Sequence, residues 1–161
     1  MELLNSSEIV IRPFAEGDAE RVQAFFDQMG PESRFFFNRN HGNENGAMAF
    51  FKTGPVKDMR RFMAVRDGKM IGYVFFFAYD LKVPWLGIAV SEEAKGCHLG
   101  TRLMEFAKNY ALEHGKGGIL LTTHRANIRG QALYEKSGYE YLGDHKSGEL
   151  MYILDFKEEQ K

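Results

Sequence analysis

The chain has a single cysteine, Cys97, among its 161 residues. An intrachain disulfide is therefore excluded, and a reducing compartment is the expectation. Long hydrophobic runs are also missing, and none reaches the roughly 18 apolar residues of a membrane helix. The first thirty residues carry Glu8, Arg12, Asp18 and Glu20, which argues against a signal peptide. Nor is there an excess of one charge: 21 Lys and Arg against 22 Asp and Glu leave a formal net charge of −1. Such a balance gives no global field for nucleic acid or an anionic membrane. With no repeat, low-complexity tract or linker, residues 1–161 read as a single cytoplasmic domain, long enough for its own core.

What the chain does have is apolar and aromatic content, 44% and 14%, with fourteen Phe, which implies a well-filled interior. Ile9–Ile11 read as a strand halted at Arg12-Pro13. Gly17-Asp18 offers an N-cap for a helix carrying Val22, Phe25, Phe26 and Met29, and Gly30-Pro31 breaks it. A second helical segment from about Glu32 holds Phe35, Phe36 and Phe37 beside Arg34 and Arg39. Asn38–Gly46, rich in Asn and Gly and without periodicity, reads as a loop, and Ala47–Lys52 as a further helix. Phe62–Val65 and Met70–Phe77 flank Asp67-Gly68, a two-residue hairpin turn. The second of these strands is apolar on both faces and so suits the middle of a covered sheet. Further strands are expected at Trp85–Val90, Ile119–Thr123, Tyr139–Leu142 and Leu150–Phe156.

Between two of those strands lies the stretch of greatest chemical interest. Ile88-Ala89-Val90 ends a strand, Lys95-Gly96-Cys97-His98-Leu99-Gly100-Thr101 forms a glycine-flanked loop, and a helix follows. Its apolar face is Leu99, Leu103, Phe106, Ala107, Tyr110 and Ala111. A strand feeding such a turn aims unpaired N–H groups at one spot, and the helix dipole adds partial positive charge. Together they make a seat for a phosphate. The dinucleotide pattern G-x-G-x-x-G and the NTPase ending Gly-Lys-Ser/Thr are both absent. Cys97 sits at the helix start, where a reactive thiol and a small loop-filling residue are alternative readings. Lys95, His98, Arg102, His124, Arg125 and Arg129 would form a cationic mouth if their two segments meet.

The loop resembles the acyl-CoA pyrophosphate loop of the GNAT superfamily of N-acetyltransferases, Q/R-x-x-G-x-G/A, with Lys95 on the first position and Gly100 on the last. Two departures stand out: Lys95 replaces the usual Gln or Arg, and His98 replaces the middle Gly. His98 could obstruct close backbone approach or donate to a phosphate itself. Asn127–Tyr139, reading NIRGQALYEKSGY, resembles the second GNAT signature almost throughout. The element order agrees along essentially the whole chain. The resemblance implies an α/β (α+β) GNAT fold: a mixed, mostly antiparallel sheet of six to seven strands, a central splayed parallel pair, and helices on both faces.

The same resemblance implies a function. Acetyl-CoA is the expected co-substrate, and no metal is called for. Its diphosphate would lie on the N–H groups of Gly96 to Thr101, with Asn127 and Arg129 nearby. Its pantetheine arm would pair beside Ile88, Ala89 and Val90. A strand N–H, that of Val90 or its neighbour, would hold the oxyanion. Tyr134 would serve the departing thiolate, if Ala132 packs on the sheet and so turns Tyr134 to the cleft; Asn127 doubles as a helix N-cap. Reference values near ~8.5 for a thiol and ~10 for tyrosine make full transfer uphill by about 2 kcal/mol, so Tyr134 reads mainly as a hydrogen-bond donor.

The acceptor is expected to be a small-molecule or peptide amine. It would lie over the early helices, with Arg34, Asn38, Arg39, His41 and His124 as its polar neighbours. Asp80, His124, Tyr79 and a water chain are all open as the base. A non-catalytic acyl-CoA-binding domain of the same fold, and a transferase for longer acyl groups, are the alternatives. The aromatic-rich strands could supply a homodimer surface.

Overall fold

Asp67 and Gly68 both adopt positive φ, 53° and 76°, the left-handed pair that a two-residue hairpin demands. They join β2 (Arg60–Arg66) to β3 (Lys69–Phe77), and from this hairpin the sheet extends both ways. The structure, a computed structural model, describes residues 8–41 and 43–157, without the side chains of 38–41 and 43–45. Seven strands lie in the order β1-β2-β3-β4-β5-β7-β6, with β1 at Val10–Pro13, β4 at Trp85–Val90, β5 at Gly118–Thr123, β6 at Glu140–Asp144 and β7 at Leu150–Asp155. Pro13, which lacks an N–H, sits on the edge strand, where the ladder can spare it. Every pairing is antiparallel except β4 with β5. Mixed pairing and helices on both faces are as the sequence leads one to expect.

The alternation along β3, shifted by one residue at a bulge around Ile71, divides the interior in two. Ile71, Val74 and Phe76 pack with Leu99, Leu103 and Ala107 of α4 (Leu99–Glu113). Tyr73 and Phe75 on the opposite face pack with Val22, Phe25 and Phe26 of α1 (Ala19–Asp27) and Phe37 of α2 (Pro31–His41). The chain is thus three-layered, and no described helix is long and apolar enough to cross a membrane. The segment Asn38–Gly46 departs from the expected loop. Helix α2 runs on through residues 38–41, and a 3-10 segment, Asn43–Ala49, leads into α3 (Phe50–Thr53). Burial of Phe37 and Ala47 anchors both sides of the stretch, and asparagine's small helix penalty is overridden.

Asp18 occupies the predicted N-cap position, but its side chain makes no cap bond to α1. Instead it accepts two N–H groups of Arg12 at 2.8 Å, one of Arg21 at 2.7 Å and the amide of Ala15 at 2.8 Å. The carboxylate is almost fully buried, whereas the arginines are about one-third exposed. The Arg12 bonds above all hold the Asp18 pKa down to about 2, against the opposing cost of burial. Its stabilisation is therefore complete above the unfolded carboxylate value near ~3.9 and disappears as pH falls through about 2. Asp18→Asn is expected to cost about 1–2 kcal/mol at neutral pH, after allowance for solvent around the arginines. Urea melts check this: the gap between variant and wild type closes between about pH 5 and pH 2.

Candidate active site

Strands β4 and β5 pair at a single register position, Trp85 with Leu120, where the Leu120 N–H donates to the Pro84 carbonyl at 2.9 Å. Beyond it they part. On its other side β4 pairs with β3 from Trp85 to Val90, and the Ser91 amide bonds Ile71 O at 2.9 Å. Counting back by twos, Ala89 and Gly87 also face β3. Ile88 and Val90 therefore turn their N–H and C=O groups to the gap. The gap opens into a cleft of roughly 600 Å³. Gly87 on its wall has no substitute, since a Cβ there would stand 2.1 Å from the Phe75 ring.

The mouth of the cleft is the tip of α4. Arg102 is the first residue of that turn to bond backward, to His98 O at 3.2 Å. The amides of Leu99, Gly100 and Thr101 have no acceptor among the described residues, as a helix start dictates. His98 adopts φ +67°, the left-handed conformation that costs a non-glycine residue about 1–2 kcal/mol. The middle glycine of the motif thus marks a real backbone requirement, which His98 meets under strain. Lys95, Gly96, His98, Leu99, Gly100 and Thr101 all line the cleft. Cys97 does not: it is exposed, and its N–H and thiol both turn to Ala94 O, at 3.4 and 2.8 Å.

Of the six cationic residues expected at the mouth, Lys95, His98, His124 and Arg129 line the cleft. Arg102 and Arg125 are outside it. Arg102 reaches the Ile9 carbonyl at 3.3 Å, and Arg125 pairs with Asp144 at 2.6 Å. Lys95 is tied across the mouth, donating to Ser33 Oγ at 2.6 Å and pairing with Glu92 at 3.3 Å.

The far wall is α5 (Ile128–Lys136). Asn127 caps it, accepting the Gly130 amide at 3.1 Å while its Nδ2 donates to Thr123 Oγ1 at 3.2 Å. The expected packing of Ala132 on the sheet is not found: Ala132 is exposed and Tyr134 is the buried residue. The Tyr134 ring packs on Tyr139 and Tyr152 with centroids 6.4 and 6.2 Å apart, yet the residue still lines the cleft. Aromatic contact outweighs a lone methyl in choosing the buried face. Burial, and secondarily the Glu149 carboxylate, push the Tyr134 pKa up, so the hydroxyl keeps its proton.

The early helices do contribute, through residues other than those expected. Glu32, Ser33, Phe36 and Phe37 line the cleft, on one face of α2. Arg34 points elsewhere and donates to Phe26 O, tying α2 to α1. The side chains of Asn38, Arg39 and His41 lie outside the described residues. His124 stands at the cleft with its ring 5.4 and 5.5 Å from Phe35 and Phe36. Tyr79 and Asp80 do not line it. Tyr79 is held between Arg60 and Lys116 by ring contacts of 4.5 and 4.2 Å.

The family model for the acetyltransferase (GNAT) family matches residues 22–139, more than half of the chain. The chain belongs to the GNAT acetyltransferase family. A curated relative, the uncharacterized N-acetyltransferase YhfO of Bacillus subtilis, is 28% identical over 137 residues, 81% of this chain and 89% of that protein. The GNAT domain of S. lividans PAT superposes with a TM-score of 0.77 at 18% identity, covering 94% of this chain and 97% of that one. The PaiA N-acetyltransferase of Thermoplasma acidophilum, solved in complex with coenzyme A, gives 0.72 at 16%, covering 92% and 99%.

Within this GNAT cleft one buried residue escaped the sequence reading altogether. Glu149, 5% exposed, lines the cleft just before β7. Ser33, Thr122 and Thr123 also line it. No local pattern announces Glu149, because its position depends on β7 inserting between β5 and β6. Asn127→Ala should remove the α5 cap and cost about 1 kcal/mol, read as a lower urea midpoint. Gly130→Ala should have a related effect, since its Cβ would stand 2.4 Å from Asn127 Nδ2.

Proposed function

We propose that this GNAT protein is an N-acetyltransferase that moves the acetyl group of acetyl-CoA directly to a primary amine, through a ternary complex in one catalytic domain. One observation carries the reading. The open edge of β4, where the Ile88 and Val90 N–H and C=O groups have no backbone partner among the described residues, runs toward the α4 amides that likewise lack one there. An extended amide-bearing arm ending in a diphosphate has the chemistry to satisfy both. Coenzyme A bound to PaiA agrees with that choice.

In this reading the amides of Leu99, Gly100 and Thr101 hold the diphosphate, with Lys95 and Arg129 as nearby cations, the His98 imidazole beside them and Gly96 leaving room. Cys97 serves only to shape the turn. Asn127 positions α5. Ile88 and Val90 pair with the pantetheine, with Ala89 between them bonded to β3. The Val90 N–H stabilises the negative oxygen that develops as the amine attacks. Tyr134 donates to the departing sulfur. Its raised pKa makes complete proton transfer more uphill than the reference values suggest, so donation in the transition state is its main contribution. The acceptor approaches along Ser33, Phe36, Phe37 and His124, as a small-molecule or peptide amine. The single cysteine, left exposed and unpaired, suits a reducing setting, and we place the reaction in the cytoplasm.

Acetyl-CoA at a hundredfold its dissociation constant should stabilise the fold by about 2.7 kcal/mol. Thiol release across a panel of amines then tests transfer, and silence with every amine despite tight binding would mark a binding domain instead. Tyr134→Phe should retain the thermal shift and lose roughly 10²–10⁴ in turnover. Turnover near wild type would remove Tyr134 from the chemistry.

A further inference from the structure

We propose that the Glu149 carboxylate is the general base that takes the proton from the acceptor amine. Glu149 immediately precedes β7, and its neighbour Leu150 pairs with Thr123 at the end of β5. That is the level at which β4 has drawn away. The residue is buried, yet lines the same cleft as Tyr134. Its backbone is fixed on both sides: its N–H donates to Ser147 Oγ at 3.3 Å, and its carbonyl accepts the His145 N–H at 2.8 Å. A carboxylate held on a hairpin end beside a buried phenol is the arrangement of an acceptor and a donor placed across a reacting bond. Its charge also helps keep the Tyr134 proton in place.

The other titratable groups around it do not fill the role. His124 Nδ1 accepts the Ala126 N–H at 3.0 Å. The neutral ring therefore carries its proton on Nε2 and has no lone pair left for an amine. Glu32 is exposed on α2. Tyr134 on α5 is a donor. Among the described residues, Glu149 and Glu32 are the only carboxylates lining the cleft.

Glu149 acts as base only if acetyl transfer to an amine is the reaction. The step balances as follows: the carboxylate takes one proton from the ammonium and passes it to solvent. The neutral nitrogen attacks the thioester carbon, a C–N bond forms, and the carbonyl electron pair moves to the oxygen facing Val90. Collapse breaks the C–S bond, and sulfur leaves with the bonding pair and takes a proton. Nitrogen sheds a second proton that replaces it, so one proton is released overall.

The test uses acetyl-CoA with spermidine, kanamycin, glycinamide and a tripeptide with a free N-terminus, on wild type, Glu149→Gln and Glu149→Asp. Expected is a fall in kcat of about 10²-fold or more for Glu149→Gln at neutral pH, with acetyl-CoA affinity unchanged. The rate should recover about tenfold per pH unit as the amine loses its own proton, and Glu149→Asp should lose less. A Glu149→Gln kcat within about threefold of wild type would overturn the assignment while leaving acetyl transfer intact. So would a loss that is equal at every pH and accompanied by weaker acetyl-CoA binding, which marks a structural role. A wild type that binds acetyl-CoA and transfers to none of the four amines would overturn the acetyl-transfer reading, and the base with it.

Discussion

Two strands that share one register position and then separate set the terms for the rest of the molecule. β4 is fully laddered to β3 and β5 to β7, while the edges they turn to each other meet only at Trp85 and Leu120. Buried backbone groups without partners cost about 1–3 kcal/mol each. The gap must therefore hold water or a ligand that restores the missing bonds. The complete ladders behind each edge keep the gap rigid. Helices α4 and α5 meet at its mouth, with Gly100 close enough to Leu133 that a Cβ would stand 3.1 Å from its Cδ2.

The two cores explain why such a gap survives in a small fold. One unites the sheet with α4, the other with α1 and α2, and β3 contributes a face to each. Helix α2 belongs to the second core through Phe37 while presenting Ser33 and Phe36 to the cleft. Its tie to α1 runs through Arg34. The α2 wall of the cleft is consequently built on packed helix rather than on loop, which would suit accurate positioning of a bound group.

The strands, the hairpin at Asp67-Gly68 and the two GNAT signatures were legible in the sequence because each is written in local chemistry. Turn glycines, alternation along β3 and the cap at Asn127 act within a few residues of one another. Features that depend on how elements dock were not legible. Ala132 and Tyr134 lie on opposite faces of α5 either way, and only the packing against Tyr139 and Tyr152 determines which is buried. Arg34 and Ser33 are adjacent, and a rotation of about 100° separates a helix tie from the cleft wall. Glu149 reaches the cleft through a strand insertion that has no short-range signal. The helical course of residues 38–41 follows the burial of Phe37 just before them, which overrides composition.

The two departures from the phosphate-loop motif can be weighed in the same terms. His98 shows that the loop keeps its shape where glycine would be easier, so the backbone geometry at the α4 tip is retained despite the strain. Lys95 faces the opposite problem, because in the structure its ammonium is already engaged by Ser33 and Glu92. Glu92 is about half exposed and Lys95 about a quarter, and ion pairs of that kind contribute about 0–1 kcal/mol. A bond from an ammonium to a phosphate contributes about 1.5–3 kcal/mol. The Ser33 bond to the same ammonium is of that class too, so a diphosphate seated at the α4 tip would compete with Ser33 and Glu92 for Lys95 on nearly equal terms.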